Sequence, residues 1–227
     1  MDKKKFAMTY DRVLELGYVF QSMFVDDKSE FEAFSSGFAD PFADDFLSEL
    51  KAADLLPTYL DDLNHQTYLT AVLNKKLVEA AEFYSRFLKY VKLAWGNSAS
   101  ELDVFRRDEF NRKRNQALSM AHILAASYRT ASEPEYKPDL IAAGFLESDI
   151  TRLQTLSTEL DEAFSERNRF INASATRAQA RIDAFNKFWD RMTLISKTAK
   201  LIFADSPGIV RTYRLYDKRK KKKEEGD

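Results

Sequence analysis

The sequence predicts an all-α fold: an elongated up-and-down bundle of about four long helices with short capping helices. Helix-breaking residues are few, because the 227 residues include only six glycines and five prolines, and Gly17 alone lies inside a segment with helical periodicity. Neither residue type occurs between Gly144 and Pro207. No stretch alternates apolar and polar residues, and no Asn-Gly or Asp-Gly pair marks a β-hairpin.

Capping residues indicate where the helices start. Thr58 and Asp61 have the spacing of a capping box, and Ser98 and Glu101 repeat that pattern. Pro207 fits the first turn of a helix, where the N–H that proline lacks is not needed. With the apolar periodicity, these signals predict helices over 6–34, 58–95, 99–131, 148–203 and 207–217, and a short helix near 42–52.

The helices predicted over 58–95 and 148–203 carry apolar residues at steps of four and three, which is typical of helices that pack at a shallow angle. The second of them would be about 80 Å long, so either it is broken in the middle or part of it projects onto another chain. Its Arg- and Ala-rich stretch at 165–182 is either a solvated part of the helix or a tip that meets another subunit. Six residues are expected to be buried where the two helices meet: Phe87, Val91, Phe185, Phe188, Met192 and Ile195.

Two pairs of sequence blocks suggest an internal duplication of helical hairpins. Residues 50–63 align with 140–153, and residues 95–105 align with 203–213, although chance similarity between Ala- and Leu-rich helices explains the matches equally well. The predicted organisation is one domain over 6–217, with candidate repeat halves 6–105 and 106–217, flanked by a basic tail at 1–5 and a disordered lysine-rich tail at 218–227.

The composition argues against several kinds of chemistry. The chain has no cysteine, which excludes disulfides, thiolate metal sites and cysteine nucleophiles. His65 and His122 do not complete the glutamate and Glu-x-x-His set of a di-iron bundle. Glycine-rich phosphate loops and nucleophile-elbow motifs are also absent from the sequence. We therefore expect no catalytic site, no cofactor and no metal.

The charge balance and hydropathy pattern restrict the setting in which the protein works. The 35 basic and 36 acidic residues argue against a protein that coats duplex nucleic acid. No apolar stretch follows the basic start, and no run of about 18 apolar residues occurs. We expect neither a signal peptide nor a membrane-spanning helix, and the cytoplasm is the expected compartment.

Residues 26–62 are strongly acidic and are interleaved with phenylalanines. Either the aromatic rings close one end of the bundle and the acids face water, or the segment forms an acidic-aromatic docking surface. The candidate surface consists of Phe31, Phe34, Phe38, Asp40, Phe42, Asp44 and Asp45.

Basic residues cluster in the third predicted helix and in the C-terminal tail. The candidate basic interaction patch consists of Arg106, Arg107, Arg112, Lys113, Arg114, Lys218, Arg219, Lys220, Lys221, Lys222 and Lys223. If the main helices alternate up and down, Lys3, Lys4 and Lys5 lie near the end of the bundle that the tail can reach, which predicts a basic pole.

These features predict a non-enzymatic protein that acts through protein–protein contacts or self-association, as an assembling or scaffolding subunit. The first alternative is association with nucleic acid or an anionic membrane through the basic tail. The second is a metal carrier or enzyme built on the bundle.

Overall fold

A computed structural model describes residues 3–96 and 99–216. Within these ranges the chain forms eleven α-helices and one short 3-10 turn at Ser36–Phe38, with no β-strand, so the all-α prediction is confirmed. The helices are α1 Tyr10–Asp26, α2 Lys28–Phe34, α3 Phe42–Asp54, α4 Tyr59–Trp95, α5 Ala99–Val104, α6 Arg107–Lys113, α7 Ala117–Ala131, α8 Lys137–Ala142, α9 Glu147–Asn172, α10 Ser174–Ile202 and α11 Pro207–Thr212.

Three of the predicted helices are interrupted. The helix expected over 6–34 divides into α1 and α2 at Asp27. The helix expected over 99–131 divides into three, because Arg106 adopts a left-handed conformation (φ 54°) and Gln116 is extended. The helix expected over 148–203 divides into α9 and α10 at Ala173. Of the two alternatives for this long segment, the structure shows the helix that is broken in the middle.

Contacts within the chain define two compact units. Unit 1 combines Met1–Thr58 with Ala175–Asp227, and unit 2 consists of Tyr59–Ser174. Each unit has its own buried cluster of hydrophobic residues. The boundaries of these units differ from those of the candidate halves 6–105 and 106–217, and the duplication stays a prediction.

The six residues expected to share one helix contact are all buried, but they lie in two different cores. Phe87 and Val91 belong to the core of unit 2, whereas the other four belong to the core of unit 1. The expected contact between the second and fourth predicted helices at these residues is therefore wrong. It fails because α4 packs against α9, and α10 contributes to the other core.

Unit 1 is built around a close approach of α1 to α3 and α10. Gly17 of α1 is buried, and a Cβ at this position would overlap Leu50 Cδ2 of α3 and lie 3.3 Å from Phe188 Cε2 of α10. Glycine allows the backbone to approach these side chains, which accounts for its place inside a helix.

An ion pair also joins α3 and α10. Arg191 donates two hydrogen bonds to Glu49, from Nε to Oε2 at 2.7 Å and from Nη2 to Oε1 at 2.9 Å. Glu49 is only 9% exposed, and its hydrogen bonds raise the pKa of the Arg191 guanidinium above its usual value. A bidentate geometry of this kind is among the stronger charge-assisted contacts in proteins.

Tyr213 anchors the segment after α11 to α1. Its ring is fully buried and stacks on Phe203, with ring centroids 6.1 Å apart. Its hydroxyl lies 2.7 Å from Asp27 Oδ2 and 2.8 Å from the carbonyl oxygen of Met23, and both of these atoms are acceptors. Burial, reinforced by the hydrogen bond to Asp27, raises the pKa of the Tyr213 hydroxyl, which therefore remains a donor.

Unit 2 packs α4, α7 and α9 around a second aromatic core. Tyr84 of α4 is fully buried, and its hydroxyl lies 2.8 Å from Ser127 Oγ and hydrogen-bonds the carbonyl oxygen of Phe105. Burial is the main cause that raises the pKa of the Tyr84 hydroxyl. This tyrosine joins α4 to α7 and to the residue that follows α5.

We predict that Gly17→Ala destabilises the protein by about 1–3 kcal/mol, because the added methyl group forces Leu50 and Phe188 to move. Gly208→Ala is the matched control, since a Cβ at position 208 meets no atom within 4 Å. That change should stabilise α11 slightly, by about 0.4–1 kcal/mol. Chemical denaturation of both variants measures the difference, and equal effects would contradict the close approach at Gly17.

The two buried tyrosines predict a loss of stability at high pH. Above about pH 10 the unfolded chain releases the protons of Tyr84 and Tyr213, while the folded chain retains them, so the free energy of unfolding falls as pH rises. Denaturation midpoints at pH values below and above this point should show a weaker decline in Tyr213→Phe than in wild type. Tyr68→Phe, at an exposed tyrosine, is the control. Parallel declines in all three proteins would contradict the assignment.

Candidate functional site

Most phenylalanines of the predicted acidic-aromatic surface are core residues. Phe31, Phe38 and Phe42 are buried in unit 1, and only Phe34 is exposed, at 51%. The Phe31 and Phe38 ring centroids lie 5.3 Å apart, and the Phe38 and Phe42 centroids lie 5.1 Å apart. A docking surface built on these rings is therefore a wrong prediction, because their mutual packing removes them from solvent. The alternative interpretation, an aromatic core with acids in water, fits their burial.

The acids of the same segment remain at the surface. Asp40 pairs with Lys28 at 2.6 Å, and Asp45 lies 3.4 Å from Arg191. Asp44 is exposed in the first turn of α3. Part of the negative charge counted in the sequence is therefore balanced by cations within the chain.

The basic patch predicted in the third helix is also partly neutralised. Arg106 pairs with Glu109 at 2.9 Å, and Lys113 pairs with the same carboxylate at 3.3 Å. These cations lower the pKa of Glu109, with the hydrogen bond from Arg106 as the largest cause. Arg107 pairs with Asp108 at 3.2 Å, and the Arg112 side chain donates to the backbone of the same residue.

The remaining cations of the predicted patch have different positions. Arg114 takes part in no ion pair within the described residues and lines a groove on unit 2. Lys218, Arg219, Lys220, Lys221, Lys222 and Lys223 lie outside the described residues.

The two histidines do not come together with other ligand types. In residues 3–96 and 99–216, no group of three or more His, Asp or Glu side chains is arranged to hold a metal ion. The His65 ring packs against Phe170, with centroids 4.6 Å apart, and His122 is exposed on α7 rather than partly buried as its apolar neighbours suggest.

A groove of about 490 Å³ on unit 2 is a candidate binding site, and we call it the α4 groove. The residues that line it are Leu77, Val78, Ala81, Glu82, Ser85, Arg86, Lys89, Arg114 and Asn115. All of them except Arg114 and Asn115 come from α4, which places them on neighbouring turns of one helix. Arg114 and Asn115 lie between α6 and α7.

The floor of the α4 groove is apolar and its rim is mostly basic. Leu77 and Ala81 pack against the core of unit 2, while Val78 beside them is 57% exposed. Ser85 uses its hydroxyl inside the helix, donating to the carbonyl oxygen of Ala81 at 2.7 Å. The lining presents three cations against the single acid Glu82.

The three rim cations, Arg86, Lys89 and Arg114, make no ion pair within the part of the chain that the structure describes. Arg86 places its guanidinium 4.9 Å from the centre of the Phe83 ring, which holds its stem along the helix. The sequence prediction included Arg114 but missed Arg86 and Lys89. The sequence feature that could have identified Arg86 and Lys89 is the apolar residue Val78, which lies next to the buried residues of α4.

None of the described helices combines the length with the hydropathy needed to cross a lipid bilayer. The comparisons with known proteins give no relative: no family model, no curated protein sequence and no solved structure matches the chain.

Proposed function

We propose that the protein is a non-catalytic binding protein whose α4 groove receives an acidic amphipathic helix of a partner protein. The observation that supports this is the combination, in one groove, of an apolar floor with three cations that lack an ion pair within the described residues. Helices that dock in apolar grooves insert one hydrophobic face, and the charges around the groove select the partner's charge.

The proposed partner helix is acidic because the rim presents Arg86, Lys89 and Arg114 around Leu77 and Val78. Apolar side chains at helical spacing would cover the floor, and carboxylates on the flanks of that face would meet the cations. Arginine and lysine at the edge of an interface speed encounter and favour partners of opposite charge.

A second copy of this chain is a weaker candidate for the partner. Its acidic helix α3 already buries Phe42, Phe46 and Leu50 in the core of unit 1. That helix therefore has no free apolar face to insert into the groove of a neighbour. The partner is inferred to be a different protein with an acidic, amphipathic helix.

The groove can be tested with a fluorescein-labelled peptide that has leucines on one helical face and glutamates on the other. We expect saturable binding by fluorescence anisotropy, and little binding of a scrambled peptide of the same composition. Val78→Glu should weaken binding at least about tenfold, because it places a carboxylate among the apolar and acidic groups of the bound helix.

The matched control is Val19→Glu, since Val19 is 52% exposed on α1 of unit 1 and lies outside the α4 groove. It should bind the peptide like wild type. If both variants weaken binding to the same degree, or if the scrambled peptide binds equally well, the proposed site is wrong. Analytical ultracentrifugation of the protein alone shows whether it self-associates instead.

The charge contribution has its own test. The double variant Arg86→Gln and Arg114→Gln removes two rim cations without changing the apolar floor. We expect weaker peptide binding and a smaller dependence of affinity on salt concentration, because fewer charge contacts remain to be screened. An unchanged salt dependence would contradict the role of the rim.

A further inference from the structure

A second groove, in unit 1, has a lining different from that of the α4 groove. It has a volume of about 480 Å³, and we call it the α10 groove. Its lining residues are Thr193, Ser196, Lys197, Lys200, Val210, Arg214, Leu215 and Tyr216. The first four share one face of α10, since Ser196 and Lys197 each lie three or four residues from both Thr193 and Lys200.

The lining of the α10 groove includes three cations and no acid. Lys197, Lys200 and Arg214 make no ion pair or side-chain hydrogen bond in residues 3–96 and 99–216. The chain from position 191 to position 216 contains only one acidic residue, Asp205. The cations of this groove are therefore available to an external anion.

Ser196 contributes a hydroxyl group to the lining of this groove. It is only 4% exposed, yet its hydroxyl has no hydrogen-bond partner among the described residues. Several serines and threonines elsewhere in the chain donate instead to the carbonyl oxygen four residues earlier: Thr67, Thr70, Ser85, Ser132, Thr151, Thr155 and Thr158. The Ser196 hydroxyl is therefore free to donate to a molecule in this basic groove.

The far side of the groove is held in place by aromatic contacts. Tyr213, buried against α1, fixes the residues that follow it. The Tyr216 ring lies 5.6 Å from Trp189 of α10, and its hydroxyl accepts a bond from the Ala7 N–H at 3.4 Å. Arg214 is therefore presented from a segment that is anchored on both sides.

We propose that the α10 groove binds a phosphate ester. The phosphate oxygens would accept hydrogen bonds from Ser196 Oγ and from the side chains of Lys197, Lys200 and Arg214. Three cations match a doubly charged phosphate better than a single carboxylate, and arginine and lysine are the usual phosphate-binding side chains.

The size of the groove indicates that an organic group accompanies the phosphate. Its volume lies in the range of small-molecule sites. Leu215 and Tyr216 offer apolar surface beside the cations, and the Tyr216 side chain is 46% exposed. A soluble phosphate ester and the phosphorylated headgroup of a lipid share this chemistry.

The soluble form is tested by isothermal titration calorimetry of the full chain with inositol trisphosphate, at about 0.15 M salt. Ser196→Ala should weaken binding by about tenfold or more, since it removes a hydrogen bond to a charged group. The same change should leave the melting temperature unchanged, because the Ser196 hydroxyl makes no hydrogen bond within the described residues. A variant that loses stability but keeps its affinity would overturn the proposal.

Net charge and the lysine-rich tail need separate controls. The double variant Lys197→Gln and Arg214→Gln should lose most of the binding, whereas Arg12→Gln with Lys51→Gln makes the same change of charge outside the groove and should retain it. A chain that ends at residue 217 should still bind. Binding that disappears with the tail and survives the groove variants would assign the anion to the tail and overturn the proposal.

Co-sedimentation with phosphatidylcholine vesicles, with and without phosphatidylinositol bisphosphate, distinguishes the two sources. Binding that depends on Ser196 and occurs only with the phosphorylated vesicles identifies a lipid headgroup. Binding of inositol trisphosphate with the same dependence, but no binding to the phosphorylated vesicles, identifies a soluble ester. Failure of all the probes to bind, or binding that the groove variants do not affect, overturns the proposal and leaves the proposed function of the α4 groove untouched.

Discussion

Unit 1 depends on the close approach of α1 to α3 and α10 at Gly17, where no side chain separates the α1 backbone from Leu50 and Phe188. Because α3 and α10 both pack beside this position, Arg191 can reach Glu49 with two hydrogen bonds. The aromatic residues that follow α1, together with Tyr213, then fill the remaining space of the core. The geometry of the α10 groove rests on this packing through Tyr213.

The helical class and the general positions of the helices follow from apolar periodicity and from the scarcity of glycine and proline. The interruptions do not follow from them, because the residues at the breaks are compatible with helix. Arg106 takes a left-handed conformation although it is not glycine, and its N–H donates to the carbonyl oxygen of Asp103 at 2.8 Å. Ala173 is an excellent helix former. The helix α9 nevertheless ends next to it, because α9 packs in the core of unit 2 whereas α10 packs in the core of unit 1.

The candidate sites were harder to predict than the fold, because counting charges does not show which of them are paired. Residues 26–62 look like an acidic surface rich in phenylalanine, but packing removes the rings and cations neutralise part of the acids. Arg167 and Arg181 look like interruptions of an apolar stripe. In the structure Arg167 donates to Thr70 Oγ1 at 3.0 Å, and Arg181 is 8% exposed and donates to the carbonyl oxygen of Pro57. Ser196 carries no sequence signal at all, because the sequence does not show which hydroxyl groups line a groove.

The division of unit 1 between two distant parts of the chain affects how the protein folds as it is synthesised. All of unit 2 leaves the ribosome before the residues from Ala175 onward that complete unit 1. At a rate of about 5–20 residues per second, roughly 6–23 seconds pass between the synthesis of the N-terminal part of unit 1 and that of the first residue of α10. During that interval the phenylalanines of the N-terminal part lack the core in which they are finally buried. The nascent chain therefore exposes these aromatic side chains to solvent until the second part of unit 1 is synthesised.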